Sequence, residues 1–351
     1  MYKKFFGLKE NPFNVNPDPR YLFLTGHTQE ALACLTYGIE TRKGFILLTG
    51  EVGTGKTTLI NKLLEWLHKE RVFTAFVFNP RLSVSQFFDF MMADFGIPCE
   101  SHQKGQMLLK LNQWLLDRYQ AGERAVLVVD EAQNLSPQML EEIRLLTNLE
   151  TSTEKLLQIV LAGQPELEQK LNQPQLRQLR QRITLRAKTR QLTLEETQGY
   201  IQERLRIAGA ENTDIFSPEA VAAVHRYARG IPRVTNLLCE HALVSSFVDQ
   251  KNPVPAEIVE EVARDFDLHV VDPLAQTPAA PGPALAIPGN GDGANGDNPP
   301  LVESLLQALN TLVDRLNQAE ARMQSAGDHS NGDGSDSKQT HDVATRDVKK
   351  G

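Results

Sequence analysis

Cysteine is scarce in this sequence. Cys34, Cys99 and Cys239 are odd in number and far apart in a chain of 351 residues. They cannot build a disulfide framework or a four-thiolate zinc site. Histidine does not fill that gap, because His27, His68, His102, His225 and His241 show no paired metal spacing. No apolar run reaches the ~18 residues that a membrane span requires. The N-terminus, Met-Tyr-Lys-Lys-Phe-Phe-Gly-Leu-Lys-Glu, is too short in apolar residues for a secretory signal. These absences point to a soluble protein of a reducing compartment. An excess of basic residues is also missing. Thirty-seven Lys+Arg stand against 44 Asp+Glu, a net charge of −7, which argues against a general nucleic-acid coat. Arg177, Lys188, Arg190, Arg204 and Arg206 leave room for a local basic patch, although salt-bridged surface faces explain such charges more often.

What is present is ordinary globular material, 41% hydrophobic and 23% charged, and long enough for about two domains. The character of the chain changes near residue 270. Residues 269–300 are rich in Pro, Ala, Gly, Asn and Asp, a composition that buries too little apolar surface to offset ordering entropy and reads as a flexible linker. Beyond it, Val302, Leu305, Leu309, Leu312, Leu316, Ala319 and Met323 are spaced 3, 4, 3, 4, 3, 4. That is an a/d seam, which predicts an amphipathic helix over 301–323. Residues 324–351 read as a disordered tail.

Before the linker, apolar runs without alternation are separated by helical spacing. Strands are expected at 45–49, 72–78, 125–129 and 156–162, and helices at 57–69, 86–95, 106–119 and 138–149. This pattern predicts an α/β domain over 1–190 with a parallel sheet covered on both faces. After Thr189 the strand signals stop, and four helical segments at 194–208, 218–227, 233–247 and 256–265 predict a small helical domain over 191–268. There is no internal repeat.

Two motifs carry chemistry. Gly50-Glu-Val-Gly-Thr-Gly-Lys-Thr follows the first strand and opens a helix, the context that a P-loop requires. Gly50, Gly53 and Gly55 let the backbone of Glu51, Val52 and Thr54 turn its N–H groups around phosphates, with Thr58 in the first helical turn. The helix adds its positive end. Lys56 is expected to reach the β- and γ-phosphates and Thr57 to place its hydroxyl on Mg²⁺. The second motif is Asp130-Glu-Ala-Gln, at the end of a buried strand expected to lie beside the first. Asp130 is placed to hold the Mg²⁺ shell, and Glu131 to orient the attacking water.

With Phe5-Phe-Gly-Leu-Lys-Glu-Asn-Pro-Phe, Pro17-Asp-Pro-Arg-Tyr-Leu, Asp130-Glu-Ala-Gln-Asn-Leu, Leu146-Thr-Asn-Leu-Glu-Thr and Leu161-Ala-Gly-Gln-Pro-Glu-Leu, the chain resembles the ExeA/GspA-type AAA+ ATPases of secretion, pilus and exopolysaccharide or exosortase loci. The resemblance runs to about residue 268. It implies an αβα P-loop NTPase (AAA+) domain with a helical lid, ATP and Mg²⁺ as ligands, ATP hydrolysis, and a homo-oligomer. Position by position, it implies that Asn79 engages the catalytic glutamate and that Gln164 senses the γ-phosphate. It implies an arginine acting in a neighbouring subunit's site, with Arg182 favoured, Arg180 second and Arg177 nearby. Arg233, in Gly230-Ile-Pro-Arg-Val-Thr-Asn, corresponds to the sensor of the lid. The segments around Asn11 and Tyr21 are expected on the adenine side.

Longer members continue into a transmembrane helix and a peptidoglycan-binding module. Here the linker and the 301–323 helix follow instead, so a cytoplasmic role at an inner-membrane export complex is expected, with that helix as the contact to a protein partner. A related group of transposition ATPases assembles on DNA, which makes a DNA-associated ATPase the alternative. A nucleotide-binding scaffold with little turnover is a third reading.

Overall fold

The structure is a computed structural model that describes residues 1–78, 82–98, 100 and 102–268. The expected linker, heptad helix and tail, and Asn79 and Cys99, lie outside the described residues. Residues 1–264 belong to one compact unit.

Five parallel strands form the sheet: β1 (Phe45–Thr49), β2 (Phe73–Val77), β3 (Ala125–Val129), β4 (Leu157–Gly163) and β5 (Ile183–Lys188), in the order β2-β3-β4-β1-β5. The three central strands are buried at every position, which is why their sequences run apolar without alternation. The edge strands β2 and β5 mix buried and partly exposed positions. The pleat then sorts alternate residues to opposite faces. Phe45, Leu47, Leu127, Val129, Ile159 and Leu161 pack on one side, and Ile46, Leu48, Val126, Val128, Val160 and Ala162 on the other.

The expectation that β3 lies beside β1 is corrected here. β4 sits between them, pairing with β1 through Thr49 and Gly163 and with β3 through Val129 and Leu161. Apolar runs specify that a strand is central but not which neighbour it takes. The consequence for the site is small, because all three central strands point their C-terminal ends to one edge, where open α/β sheets bind ligands.

Helices complete the layers. After the short α1 (Tyr2–Phe5), α2 (Gly26–Glu40) and α3 (Lys56–Lys69) cover the face of Ile46, with Leu35, Ile39, Leu59, Ile60 and Leu63 fully buried. The opposite face is covered by α4 (Val84–Asp94), α5 (Lys104–Gln120), α6 (Pro137–Leu146) and α7 (Pro165–Leu171), with Phe87, Phe88, Leu111, Ile143 and Leu167 in the core. A short α8 (Arg177–Arg182) leads into β5.

The lid is four helices, α9 (Leu194–Ile207), α10 (Pro218–Ala228), α11 (Pro232–Val248) and α12 (Ala256–Asp265). Thr193 opens α9 with a capping box to Glu196, and Ser217 caps α10 through the Ala220 N–H. Residues 2–14 pack on the lid although they precede the sheet in sequence. The Phe13 ring meets Phe216 edge-on at 6.0 Å, Phe5 meets Phe247 at 5.6 Å, and the Lys9 N–H donates to Ala208 O at 2.8 Å.

Candidate nucleotide site

The P-loop leaves β1 and enters α3 through Gly55, at φ +92, without a side-chain cap. The first N–H groups of α3 therefore face the cavity with the positive end of the helix dipole behind them. Lys56 is buried, and its ammonium donates to Gly50 O at 2.8 Å and Glu51 O at 2.9 Å. Burial lowers its pKa, opposed by the charges of Glu131 and Asp130. Thr54 donates to Glu51 O and shares a 2.7 Å hydrogen bond with Thr189. Gly53 combines φ +79 with a close approach. A Cβ there would stand 2.9 Å from Arg233 Cβ and 3.0 Å from Ile231 Cγ2.

At the end of β3, the Asp130 N–H continues the ladder to Val77 O at 2.9 Å. Its carboxylate accepts from the Glu131 N–H at 2.8 Å and from the Thr57 hydroxyl at 3.3 Å. Burial raises the Asp130 pKa, with the Glu131 N–H bond opposing it. Thr57 and Asp130 thus present two hard oxygens side by side. That donor set fits Mg²⁺, which takes few protein ligands and completes its shell with water and phosphate oxygens. Elsewhere among the described residues, no group of three or more His, Cys, Asp or Glu is arranged to hold a metal.

Glu131 sits at φ +52, a conformation that is costly for a non-glycine residue and concentrates at functional sites. Its Oε2 accepts from Gln133 Nε2 at 2.5 Å and from Gln164 Nε2 at 3.3 Å. Gln164 follows β4, which runs to Gly163, beyond the Val129–Leu161 pair where β3 ends, so Glu131 and Gln164 meet just past the C-terminal ends of these neighbouring strands.

A cavity of about 370 Å³ joins these groups. P-loop residues from Val52 to Thr58, Glu131, Gln164 and Arg233 line it, together with Tyr21 and Phe23 from the N-terminal segment. The two N-terminal motifs separate. Residues 21–23 reach the cavity, whereas Asn11 and Phe13 do not line it and fasten to the lid, Asn11 through a 2.9 Å bond to Glu240. Arg233 opens α11, and its backbone N–H donates to Gly53 O at 3.1 Å. Arg182 is not brought to this cavity. Its guanidinium donates to Thr147 and to Asn148 Oδ1 in the same chain, while Arg180 donates to Asn172.

The five basic residues do not form one patch of equivalent charges. Lys188 pairs with Glu168 at 3.0 Å and Arg206 with Glu203 at 2.6 Å, Arg204 is buried, and Arg177 and Arg190 are exposed. Arg204 is also a residue whose role the sequence hid. It donates to Pro12 O, Asn14 O and the Tyr200 hydroxyl and lies 4.4 Å over the Tyr21 ring. Gln133 and Thr189 are likewise silent in the sequence, and the role of Gln133 depends on where the chain turns after β3.

Comparison with known proteins agrees with this geometry. Residues 39–171 match the AAA domain family. Over 248 residues the chain is 46% identical to general secretion pathway protein A of Aeromonas hydrophila, covering 70% of this chain and 45% of that protein. The chain thus spans under half of that relative's length. Among solved structures, the Aeropyrum pernix ORC2 protein in ADPNP–ADP complexes is similar with a TM-score of 0.54 at 15% identity, covering 73% of this chain and 71% of that one. Drosophila ORC bound to DNA is similar with a TM-score of 0.54 at 18% identity, covering 72% and 63%. At these identities the structures share the fold alone. Among the described residues no helix is long and apolar enough to cross a membrane. Residues 39–171 are therefore an AAA domain on a P-loop NTPase fold, and the chain that carries them is a relative of general secretion pathway protein A.

Proposed function

We propose that the chain is an ATPase that binds Mg·ATP in the cavity between P-loop and lid and uses hydrolysis as a conformational switch for a secretion, pilus or exopolysaccharide export assembly. One observation carries the catalytic part: Lys56, the Thr57–Asp130 pair and the Glu131–Gln164 pair converge on a single sheet edge beside Arg233. Lys56 meets the β- and γ-phosphates from the P-loop. Thr57 and Asp130 hold Mg²⁺, which neutralises charge on the phosphate oxygens. Glu131 orients and polarises the attacking water, and Gln164 reports the γ-phosphate. Arg233 couples the nucleotide to the lid, and Arg182 acts on a neighbouring subunit's site once released from Thr147 and Asn148.

The assignment to an export system at the inner membrane rests on the identity with general secretion pathway protein A. A protein partner would be met through 301–323. The DNA-associated reading has the DNA-bound ORC fold neighbour on its side, but the paired state of Lys188 and Arg206 disfavours it.

Steady-state ATP hydrolysis tests the site. Lys56→Ala is expected to abolish nucleotide binding, and Glu131→Gln to retain binding while losing about a hundredfold or more in kcat. Wild-type turnover by Glu131→Gln would overturn the assignment.

A further inference from the structure

Gln133 lies two residues beyond Glu131, on a one-turn 3-10 segment (Ala132–Asn134). Its side-chain amide makes two contacts of opposite sense. Oε1 accepts the Gln164 backbone N–H at 3.1 Å, and Nε2 donates to Glu131 Oε2 at 2.5 Å. The orientation of this amide follows from its partners. A backbone N–H can only donate and an ionised carboxylate can only accept, so only this orientation satisfies both.

The surroundings are shaped for the amide. A Cβ on Gly163 would fall 2.9 Å from Gln133 Oε1, so the glycine that ends β4 keeps its place open. Lys170 Nζ donates to the main-chain carbonyls of Gln133 and Leu135, which fixes the turn that carries the side chain. The same Glu131 oxygen accepts from Gln164 Nε2. The result is a closed circuit in which Glu131, Gln133 and Gln164 share three hydrogen bonds.

We propose that Gln133 is a positioning residue for hydrolysis. It holds the Glu131 carboxylate in the orientation that addresses water and ties that orientation to the backbone of the loop carrying Gln164. This rests on the reading of Glu131 as the water-orienting group. Gln133 does not line the cavity, so it acts through Glu131 and not by touching nucleotide. Displacement of the Gln164 loop by the γ-phosphate would pass directly to the carboxylate, because the Gln164 N–H and Glu131 Oε2 are bridged by one rigid amide plane.

The test uses the full chain, with kcat and KM for ATP, affinity for a fluorescent ADP analogue and thermal melting measured on each variant. Gln133→Ala is expected to lower kcat ten- to a hundredfold, the scale of a small misplacement of a catalytic group, with ADP affinity and melting unchanged. The KM for ATP is expected to stay within twofold, because Gln133 does not line the cavity. A kcat for Gln133→Ala within twofold of wild type overturns the proposal. So does a kcat loss matched by loss of affinity and stability. Glu131→Gln separates the two readings. If it is inactive while Gln133→Ala is normal, only the positioning role falls. If it is fully active, the role of Glu131 falls first and this one with it.

Discussion

Truncating Arg204 to alanine removes the side chain of a residue that is only 6% exposed and that ties residues 12–14 and Tyr21 to α9. Its acceptors are Pro12 O at 2.5 Å, Asn14 O at 3.1 Å and the Tyr200 hydroxyl at 2.8 Å, and it covers the Tyr21 ring at 4.4 Å and the Tyr200 ring at 5.4 Å. Hydrogen bonds from a charged donor contribute about 1.5–3 kcal/mol each, and a desolvated cation–π contact about 2 kcal/mol. Against that stands the desolvation of the guanidinium, several kcal/mol in itself. A net loss of about 3 kcal/mol is expected, because the variant leaves two main-chain carbonyls without their donor. For a unit of this size that is a fall in melting temperature of about 6–12 °C. Residues 12–23 would lose their attachment to α9, so limited proteolysis should cut there first. ATP affinity should fall as well, since Tyr21 and Phe23 wall the cavity. Arg204→Lys keeps the charge but loses the planar fork and should fall between the two. A melting shift under about 2 °C with unchanged protection of residues 12–23 would refute the reasoning.

Two further perturbations test other parts of the site. Burial holds the Asp130 carboxyl above its usual range, so the folded state takes up its proton more readily than the unfolded chain. The associated stability is present below the ordinary carboxylate pKa and is lost as pH rises through the raised value. Asp130→Asn should therefore melt higher than the wild type at neutral pH without nucleotide, and the gap should close on acidification; a gap independent of pH would exclude burial as its cause. Gly53→Ala combines the strain of φ +79 with a Cβ 2.9 Å from Arg233 Cβ, at about 1–3 kcal/mol. It should weaken binding of a fluorescent ATP analogue, and undiminished binding would show that the P-loop does not need this close approach to α11.

Much of the site was legible because its signals are local. The P-loop is read from contiguous residues whose flanking strand and helix are themselves strongly patterned, and Asp130 and Glu131 follow an unbroken apolar run. What was not legible depends on neighbours distant in sequence. Strand order is one case: β4 separates β1 from β3, and nothing in either run announces it. Arg204 is another. As a charge on a helix at helical spacing it reads as surface, and only the return of residues 12–14 and Tyr21 over α9 converts it into a buried tie. Gln133 reads as one more amide in a turn until Gly163 and the Gln164 N–H are seen against it. Arg182 sits at the junction of α8 and β5, as the family resemblance implies, but its bonds to Thr147 and Asn148 are a property of the folded chain.

The N-terminal segment is held to α9 by Arg204 and to α11 by Asn11, whose amide donates to a Glu240 oxygen shared with the Tyr2 hydroxyl. Burial raises the Glu240 pKa, with the Tyr2 and Asn11 bonds opposing it. Between α9 and α11, the Tyr200 hydroxyl donates to Asn236 at 2.8 Å. Segment and lid are therefore cross-linked by side chains at several points, whereas Arg233 meets the P-loop through a backbone bond to Gly53 O. The same segment is also fastened to the sheet domain, where Asn61 Nδ2 of α3 donates to Pro17 O at 2.8 Å and Leu22 packs against the core on the Ile46 face. Tyr21 and Phe23 therefore stand on a strap bound to α9 on one side and to α3 on the other, and a change in lid angle should load that strap as well as the Gly53 contact.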